Sequence, residues 1–257
     1  MAVAGLLIVV GAIVSYFGAI FVLHKFTYRT WVVDVAVVAG CTIAVVGSLS
    51  GGAGGEWVAV LAVTLSICWF VMSRMELHLH GSPRLALTRG SMLPSLAMRT
   101  VDGALVTDRD LMREAPALLV LYRGWWCPSS KLQLGELLDE YDRLAAAGLT
   151  VYAASVDSPE QAAPMQEYVG GRITILCQIP AEVLESIGAR DTRGAPWYDR
   201  LLFKAPKRDI AMPTSIVIDT DGRVTAVHRA NSVGDRPHPE PLLAEATDLR
   251  GRPRDSR

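Results

Sequence analysis

The sequence predicts an α/β domain, in which helices flank a central mixed sheet, preceded by three transmembrane α-helices. Two observations support this architecture. Long apolar stretches concentrate before residue 74, whereas short β-prone runs alternate with segments of helical periodicity beyond residue 90. Strands that alternate with helices at these lengths are typical of βαβ units, which build a sheet with helices on both faces.

The composition of the 257-residue chain excludes several classes of protein. Lys and Arg number 25 against 26 Asp and Glu, so there is no basic surplus that would suggest nucleic-acid binding. Four scattered cysteines are too few for a disulfide framework, and they show no ligand spacing for a structural zinc ion. Cys41 and Cys68 lie in apolar segments, where a free cysteine is typically a small buried hydrophobe. The sequence contains no phosphate loop or dinucleotide motif, so we expect no cofactor.

Residues 1–75 are predicted to form a membrane anchor. Three segments satisfy the length criterion for membrane spans, namely residues 2–23, 31–49 and 57–73, and among them only the second contains a charge, Asp34. Asp34 lies about one turn inside its span, so it either has an intramembrane role or reaches the headgroups. The glycines of the first two spans permit close helix packing, within this chain or against another membrane protein.

The charges of the short loops predict the orientation of the anchor. Lys25 and Arg29 follow the first span, residues 50–56 contain no Lys or Arg, and Arg74 and Arg89 are among the basic residues after the third span. The positive-inside rule therefore places the N-terminus outside and the C-terminal domain in the cytoplasm.

Residues 76–89 are predicted to form a linker, and residues 90–249 a folded domain with a polar tail at 250–257. His78 and His80 in the linker could together bind a metal ion, but two histidines without a third ligand rarely do, so we expect no metal site.

Hydrophobic periodicity and turn signals predict the elements of the folded domain. They are a hairpin of residues 95–99 and 105–107, a short helix 109–113, a strand 118–122, one helix 130–147 ended by Gly148, a strand 150–155, a helix 159–169, a strand 173–176, a short helix 182–187, a hairpin of 215–219 and 224–228, and a helix 239–249.

Residues 190–209 fit none of these patterns. They combine five large apolar residues, Trp197 and Leu201 among them, with six Lys or Arg residues. This apolar density suggests a lid over a reactive site, a docking face for a partner, or an ordinary surface insertion.

Cys127 is the strongest candidate for a reactive residue. The strand that ends at Tyr122 breaks at Arg123-Gly124, and Cys127 followed by Pro128 then opens a helix. Proline at the first helical position places the cysteine at or near the N-cap. Free backbone N–H groups and the positive end of the helix dipole stabilise a thiolate there, so the position predicts a nucleophile.

Three segments together resemble a known family. They are Trp126-Cys127-Pro128, the strand of residues 151–155 followed by Asp157, and Met212-Pro213-Thr214 leading into the strand of residues 215–219. They resemble the thioredoxin-fold redoxins, specifically the alkyl hydroperoxide reductase/thiol-specific antioxidant (peroxiredoxin-like) group, over residues 90–245.

The resemblance implies a thioredoxin-like fold and a nucleophilic Cys127 that attacks a peroxide or a disulfide and is regenerated by an external thiol reductant. It also implies that Trp126 walls the site and that Pro213 is a cis-proline beside Cys127, which would expose the backbone of Met212 to a substrate. The implied site residues are Cys127, Trp126, Pro128, Ser130, Met212, Pro213 and Thr214.

The chain departs from the family pattern at three points. Ser130 replaces the second cysteine of a CxxC pair, Val120 and Gly124 replace the proline and threonine of PxxxTxxC, and Pro213 stands where peroxiredoxins carry a catalytic arginine. Arg123, four residues before Cys127, either substitutes as a cation that lowers the pKa of the cysteine or is a surface charge.

Because a hydroxyl at Ser130 cannot resolve a mixed disulfide, an outside thiol or Cys177 would have to do so. Cys177, at the end of a predicted strand, is either that resolving cysteine or a buried thiol. A disulfide would require its Cα to lie within about 7 Å of that of Cys127.

Three functions fit these observations. The first is a membrane-anchored thiol oxidoreductase or peroxiredoxin-like antioxidant protein that uses one cysteine. The second is an accessory subunit with a degenerate redoxin domain, docked to a membrane protein complex through the spans and residues 190–209. The third, a thiol-disulfide chaperone for exported proteins, requires a domain that faces outward, and the loop charges disfavour it.

Overall fold

The computed structural model describes residues 1–23, 30–50, 54–76, 85–195, 197–207, 209–230, 235–237 and 239–250. The chain divides into two compact units, Met1–His78 and Leu79–Arg257. His78 and His80, and the tail beyond residue 250, lie outside the described residues.

The first unit consists of three apolar helices. They are α1 (Ala2–Phe21), α2 (Thr30–Leu49) and α3 (Gly55–Val71), and α3 continues into a π-helical turn (Met72–Glu76). Their mean hydropathies over the segments Ala2–Ile20, Trp31–Leu49 and Gly55–Arg74 are 2.4, 2.2 and 1.8, so all three are long and apolar enough to cross a membrane. The three predicted spans correspond to these helices.

Asp34 is accounted for by contacts inside this unit. Its carboxylate accepts a hydrogen bond from the indole N–H of Trp69 at 2.9 Å and forms an ion pair with Arg74 at 3.0 Å. Gly5 and Gly40 let α1 and α2 approach closely, because a Cβ on either glycine would lie within 3 Å of the backbone of the other helix.

The second unit contains nine strands and seven helices in the described part of the chain. In chain order they are β1 (Ala97–Thr100), β2 (Leu105–Thr107), α4 (Asp108–Arg113), β3 (Ala117–Leu121), α5 (Pro128–Asp139), α6 (Tyr141–Ala146), β4 (Thr150–Ala154), α7 (Pro159–Val169), β5 (Thr174–Cys177), α8 (Ala181–Ile187), β6 (Arg190–Asp191), α9 (Trp197–Phe203), β7 (Ile210–Ala211), β8 (Thr214–Ile218), β9 (Val224–Arg229) and α10 (Pro239–Arg250).

Seven of the strands form one mixed sheet in the order β2-β1-β5-β4-β3-β8-β9, with β3, β4 and β5 parallel. Successive residues of β3 point to opposite faces, so Leu119 joins a core covered by α4 and α8, whereas Leu118 joins a core covered by α5, α6, α7 and α10. The predicted sheet with helices on both faces is therefore confirmed.

Two predictions about the elements are wrong. The single helix expected over residues 130–147 is two helices, because Glu140 leaves helical geometry (φ −98°, ψ 6°) and both ends α5 and begins α6. The apolar spacing continues from Leu137 to Leu144 across this break, so periodicity alone did not reveal it. Residues 190–209 were expected to be irregular, yet they contain α9 and are closed at both ends by the antiparallel pair β6–β7.

Candidate functional site

Cys127 is the N-cap of α5, as its position before Pro128 predicts. The strand β3 brings the chain to Tyr122, whose N–H still donates to Ala154, and a turn then carries it to the helix. The carbonyl of Cys127 accepts hydrogen bonds from the N–H groups of Ser130 (3.1 Å) and Lys131 (3.3 Å), so the residue is fixed in the first turn.

A segment far along the chain covers Cys127, whose side chain is only 2% exposed. Trp126 and Cys127 form an apolar cluster with Ala195 and Ala205, which lie between β6 and β7 along the chain, and with Ile210 of β7. We call residues 190–211 the cover segment. Of the interpretations suggested by the sequence, a lid over the thiol matches this packing.

Arg123 is buried, not a surface charge. Its side chain is 3% exposed, lies 3.9 Å from the equally buried carboxylate of Asp191, donates to the carbonyl of Gly194 at 3.4 Å and stacks over the ring of Trp126 at 5.1 Å. Arg123 therefore links the turn before Cys127 to the cover segment. Within the described part of the chain, the buried Nε of Arg123 and Nε1 of Trp126 find no hydrogen-bond acceptor.

The turn depends on Gly124 and on Asp157, which follows β4. Gly124 has φ +144°, and a Cβ there would come within 2.9 Å of Asp157 Oδ1 and still closer to Trp126 Nε1. Asp157 accepts the N–H of Trp125 at 3.2 Å, and its own N–H donates to Ser155 Oγ at 3.2 Å. Burial raises the pKa of the Asp157 carboxyl to about 6, although hydrogen bonds to the carboxyl from the Trp125 N–H and the Ser155 side chain act to lower it.

Lys131 is a cation near Cys127 that sequence reasoning missed. Its Nζ lies 3.7 Å from the centre of the Trp125 ring. Burial lowers the pKa of Lys131, and the negative charge of a Cys127 thiolate opposes this by raising it. The sequence contains the spacing that could have identified Lys131. Residues four apart share a helix face, and Lys131 follows Cys127 by four residues, which is one turn of α5.

Ser130 closes the turn before the helix. It is fully buried, and its hydroxyl accepts the N–H of Arg123 at 3.2 Å. The residue that occupies the position of a second redox cysteine thus has a structural contact in this chain.

The Met212-Pro213-Thr214 segment lies at the same sheet edge as the Cys127 turn, since Thr214 pairs with Leu121 at the end of β3. The expected cis bond at Pro213 is wrong: in the described residues the cis bond is Ala115–Pro116. The N–H of Met212 donates to Ala189 at 2.7 Å, so it is not available to a substrate. Met212 and Pro213 link β7 to β8, and the Thr214 hydroxyl donates to the Met212 carbonyl.

Cys177 lies at the end of β5 and is separated from β3 by β4. Two strand spacings place Cys177 about 10 Å from β3. Its thiol donates to the carbonyls of Arg99 (3.1 Å) and Thr100 (3.6 Å), and burial raises its pKa. Both Cys127 and Cys177 are free thiols. The described residues contain no cluster of three or more His, Cys, Asp or Glu side chains that could hold a metal ion.

The family model described as "AhpC/TSA family" matches residues 90–227, more than half of the chain. The chain belongs to the AhpC/TSA family. The match includes Cys127, its turn, the cover segment and the Met212-Pro213-Thr214 segment. Among curated proteins, none matches this AhpC/TSA member.

Solved peroxiredoxin structures are similar to this AhpC/TSA member. Peroxidoxin BcpB from Mycobacterium tuberculosis matches with a TM-score of 0.52 and 17% identity, over 63% of this chain and 98% of that one. Peroxiredoxin 5 from Alvinella pompejana (0.50, 18%) covers 63% and 99%. A thiol peroxidase from Chromobacterium violaceum (0.50, 18%) covers 66% and 93%. At these identities the similarity establishes the thioredoxin-like peroxiredoxin fold.

Proposed function

We propose that this protein is a membrane-anchored, peroxiredoxin-like antioxidant enzyme in which Cys127 is the single nucleophile. The observation that carries the proposal is a free cysteine at the N-terminus of α5, within an AhpC/TSA fold, one helical turn from Lys131. The helix N-terminus and the Lys131 charge both favour the thiolate, which is the reactive form of cysteine.

The reaction proceeds in two stages. The Cys127 thiolate attacks one oxygen of a hydroperoxide; an S–O bond forms, the O–O bond breaks, and the departing oxygen takes the proton that Cys127 lost, leaving as an alcohol or water. Sulfur is oxidised to the sulfenic acid and the peroxide is reduced. An external thiol then displaces water to give a mixed disulfide, and a second thiol releases Cys127 and the oxidised reductant.

The chemistry and surroundings of Ser130 and Cys177 support an external reductant. Ser130 has a hydroxyl that is bonded to the backbone of Arg123, and Cys177 is held by carbonyls of β1 two strand spacings from β3. A hydroxyl cannot reduce an oxidised Cys127, and the Cys177 thiol is engaged by backbone carbonyls, so we expect a separate thiol reductant to bind when the cover segment opens.

Arg123 and Trp126 are the candidates to replace the threonine and arginine that the family pattern supplies. Each has a buried N–H without an acceptor in the described part of the chain, and both side chains pack beside the Cys127 turn. Such donors stabilise negative charge that develops on a peroxide oxygen. Pro128, Met212, Pro213 and Thr214 would then shape the site without taking part in bond making.

The three apolar helices of the first unit, which are long enough to cross a membrane, support the proposed anchoring in the cell membrane. With the loop charges described above, the N-terminus lies outside and the redoxin domain lies in the cytoplasm, where thiol reductants are abundant. Residues 1–75 would be the anchor, 76–89 the linker and 90–249 the redoxin domain.

The second candidate function is an accessory subunit of a membrane protein complex. The closed cover segment favours it, because a thiol that is 2% exposed under a buried Arg123–Asp191 pair cannot meet a peroxide without a conformational change. The absence of the PxxxTxxC proline and threonine is consistent with lost chemistry.

Peroxide consumption by the full-length chain distinguishes the two functions. Turnover of the chain in detergent is measured with hydrogen peroxide and dithiothreitol. In a separate reaction without dithiothreitol, sulfenic acid is trapped with dimedone and located by mass spectrometry. We expect a peroxide-dependent adduct at Cys127, loss of turnover in Cys127→Ser and unchanged turnover in Cys177→Ser. If the wild-type protein shows neither an adduct nor turnover, the result would contradict the enzymatic function and leave the accessory-subunit function.

A further inference from the structure

The outer side of the cover segment carries an exposed apolar pair. Trp197 and Leu201 are 63% and 73% exposed, and no large apolar side chain in the described part of the second unit is more exposed. They lie four residues apart on α9, so they share one face of the helix. The inner side of the same segment is already used by Ala195, Ala205 and Ile210, which pack on Trp126 and Cys127.

Basic side chains flank this pair. Arg200, Lys204 and Lys207 are exposed, and Arg200 neighbours Leu201 on α9. Of the three acidic residues of the segment, Asp191 pairs with buried Arg123 and Asp209 pairs with Arg190, whereas Asp199 lies on α9 beside Arg200. Arg200, Lys204 and Lys207 outnumber Asp199, so the outer side of the segment combines an exposed indole, a leucine and a net positive charge.

This combination fits the surface of an anionic bilayer. Tryptophan partitions to the headgroup region, leucine enters the acyl boundary, and Lys and Arg attract acidic headgroups. A bilayer is the expected environment of this chain, because its first unit has three helices that could cross a membrane.

We propose that α9 and its basic flank dock on the anionic membrane surface. The contact is peripheral, with Trp197 and Leu201 at the interface and Arg200, Lys204 and Lys207 on the headgroups. The proposal rests on the anchoring proposed above and not on the chemistry of Cys127, so it can fail while peroxidase activity persists, and the reverse.

Hydrogen exchange of the full-length chain in vesicles tests the docking. The chain is reconstituted in phosphatidylcholine alone and in phosphatidylcholine with phosphatidylglycerol, and amide exchange of α9 is compared with that of α4 (Asp108–Arg113) as an internal reference. We expect α9 to exchange at least about fivefold more slowly in the anionic vesicles, with α4 unchanged.

Two variants and one control complete the test. Trp197→Ser combined with Leu201→Ser, and separately Arg200→Glu combined with Lys204→Glu, should abolish the slowing, whereas Leu105→Ser, which removes a 59% exposed leucine of β2, should not. Flotation with the vesicles reports anchoring independently. Equal α9 exchange in both lipids overturns the proposal, as does slowing that appears only when membrane proteins are added, which would identify a protein partner.

Discussion

Cys127 and Cys177 are both buried free thiols that follow parallel strands of one sheet, yet their surroundings differ in kind. Cys127 is the N-cap of α5, and Lys131 follows it by one helical turn. Cys177 donates its thiol proton to two carbonyls, and burial raises its pKa. Because both thiols are buried, the backbone groups and charges around each sulfur, and not burial, distinguish the proposed nucleophile Cys127 from Cys177.

The largest expected change in this comparison is produced by Asp191→Asn. Removing one charge of a buried ion pair costs about 3–5 kcal/mol, and here the cost weakens the closed cover segment. Iodoacetamide labelling followed by mass spectrometry should show Cys127 reacting about 100-fold faster, or more, with Cys177 unchanged. Asp209→Asn, which alters a half-exposed pair with Arg190, is the matched control and should change the rate by only a few-fold. Equal acceleration of both cysteines would indicate general unfolding instead.

Asp157→Asn should change the pH dependence of stability. Because the folded-state pKa of Asp157 is about 6 against an ordinary 3.8, the folded protein binds more protons than the unfolded chain between these values. Stability therefore falls as pH rises from about 4 to 6, and the ionised carboxylate costs roughly 3 kcal/mol above pH 7.

The variant lacks this dependence. The difference between its free energy of unfolding and that of the wild type should therefore rise by roughly 3 kcal/mol between pH 4 and pH 7. The free energy of opening is measured from the slowest-exchanging amides of β3 and β4, corrected for intrinsic exchange. Negative charge on Asp157 adds to burial in raising the pKa of Cys177, so Cys177 should also titrate at lower pH in the variant. A wild type and variant with parallel pH profiles would contradict the buried charge.

Gly124→Ala should disturb the Cys127 turn. Alanine at φ +144° is strained and collides with Trp126 and Asp157, at a cost of about 1–3 kcal/mol. Peroxide turnover should fall at least about tenfold. Gly103→Ala is the matched control, because Gly103 has φ +91° with open space around it, so only the backbone strain remains. Equal loss of turnover in the two variants would count against a specific role for the turn.

The smallest expected effect is that of Lys131→Gln. Loss of a partly buried cation one turn from Cys127 should slow the thiolate-dependent alkylation of Cys127 by a few-fold at low ionic strength, and leave Cys177 unchanged. Lys131→Arg retains the charge and should restore most of the rate. If the glutamine and arginine variants behave alike, the charge of Lys131 has no part in activating the thiol.

The central part of this fold could be predicted from sequence because local chemistry decides it. The short apolar run of β3, broken at Arg123-Gly124, predicts a buried strand, and Pro128 fits the first turn of a helix. Together these two signals place Cys127 at the N-cap. The same local reasoning failed at Glu140, where the apolar spacing continues through a break between two helices. It also failed at Pro213, where resemblance to thioredoxins suggested a cis bond.

The sequence by itself determined the three apolar helices, the alternating strands and helices, and the position of Cys127 at a helix start, because each depends on residues that are neighbours along the chain. Only the tertiary structure decided what surrounds the thiol. Burial of Arg123 and its pairing with Asp191 depend on packing between distant segments, and the two-residue strands β6 and β7 are too short to leave a periodic signal. The closure of residues 190–211 over Cys127 is therefore a property of long-range contacts, which no local pattern specifies.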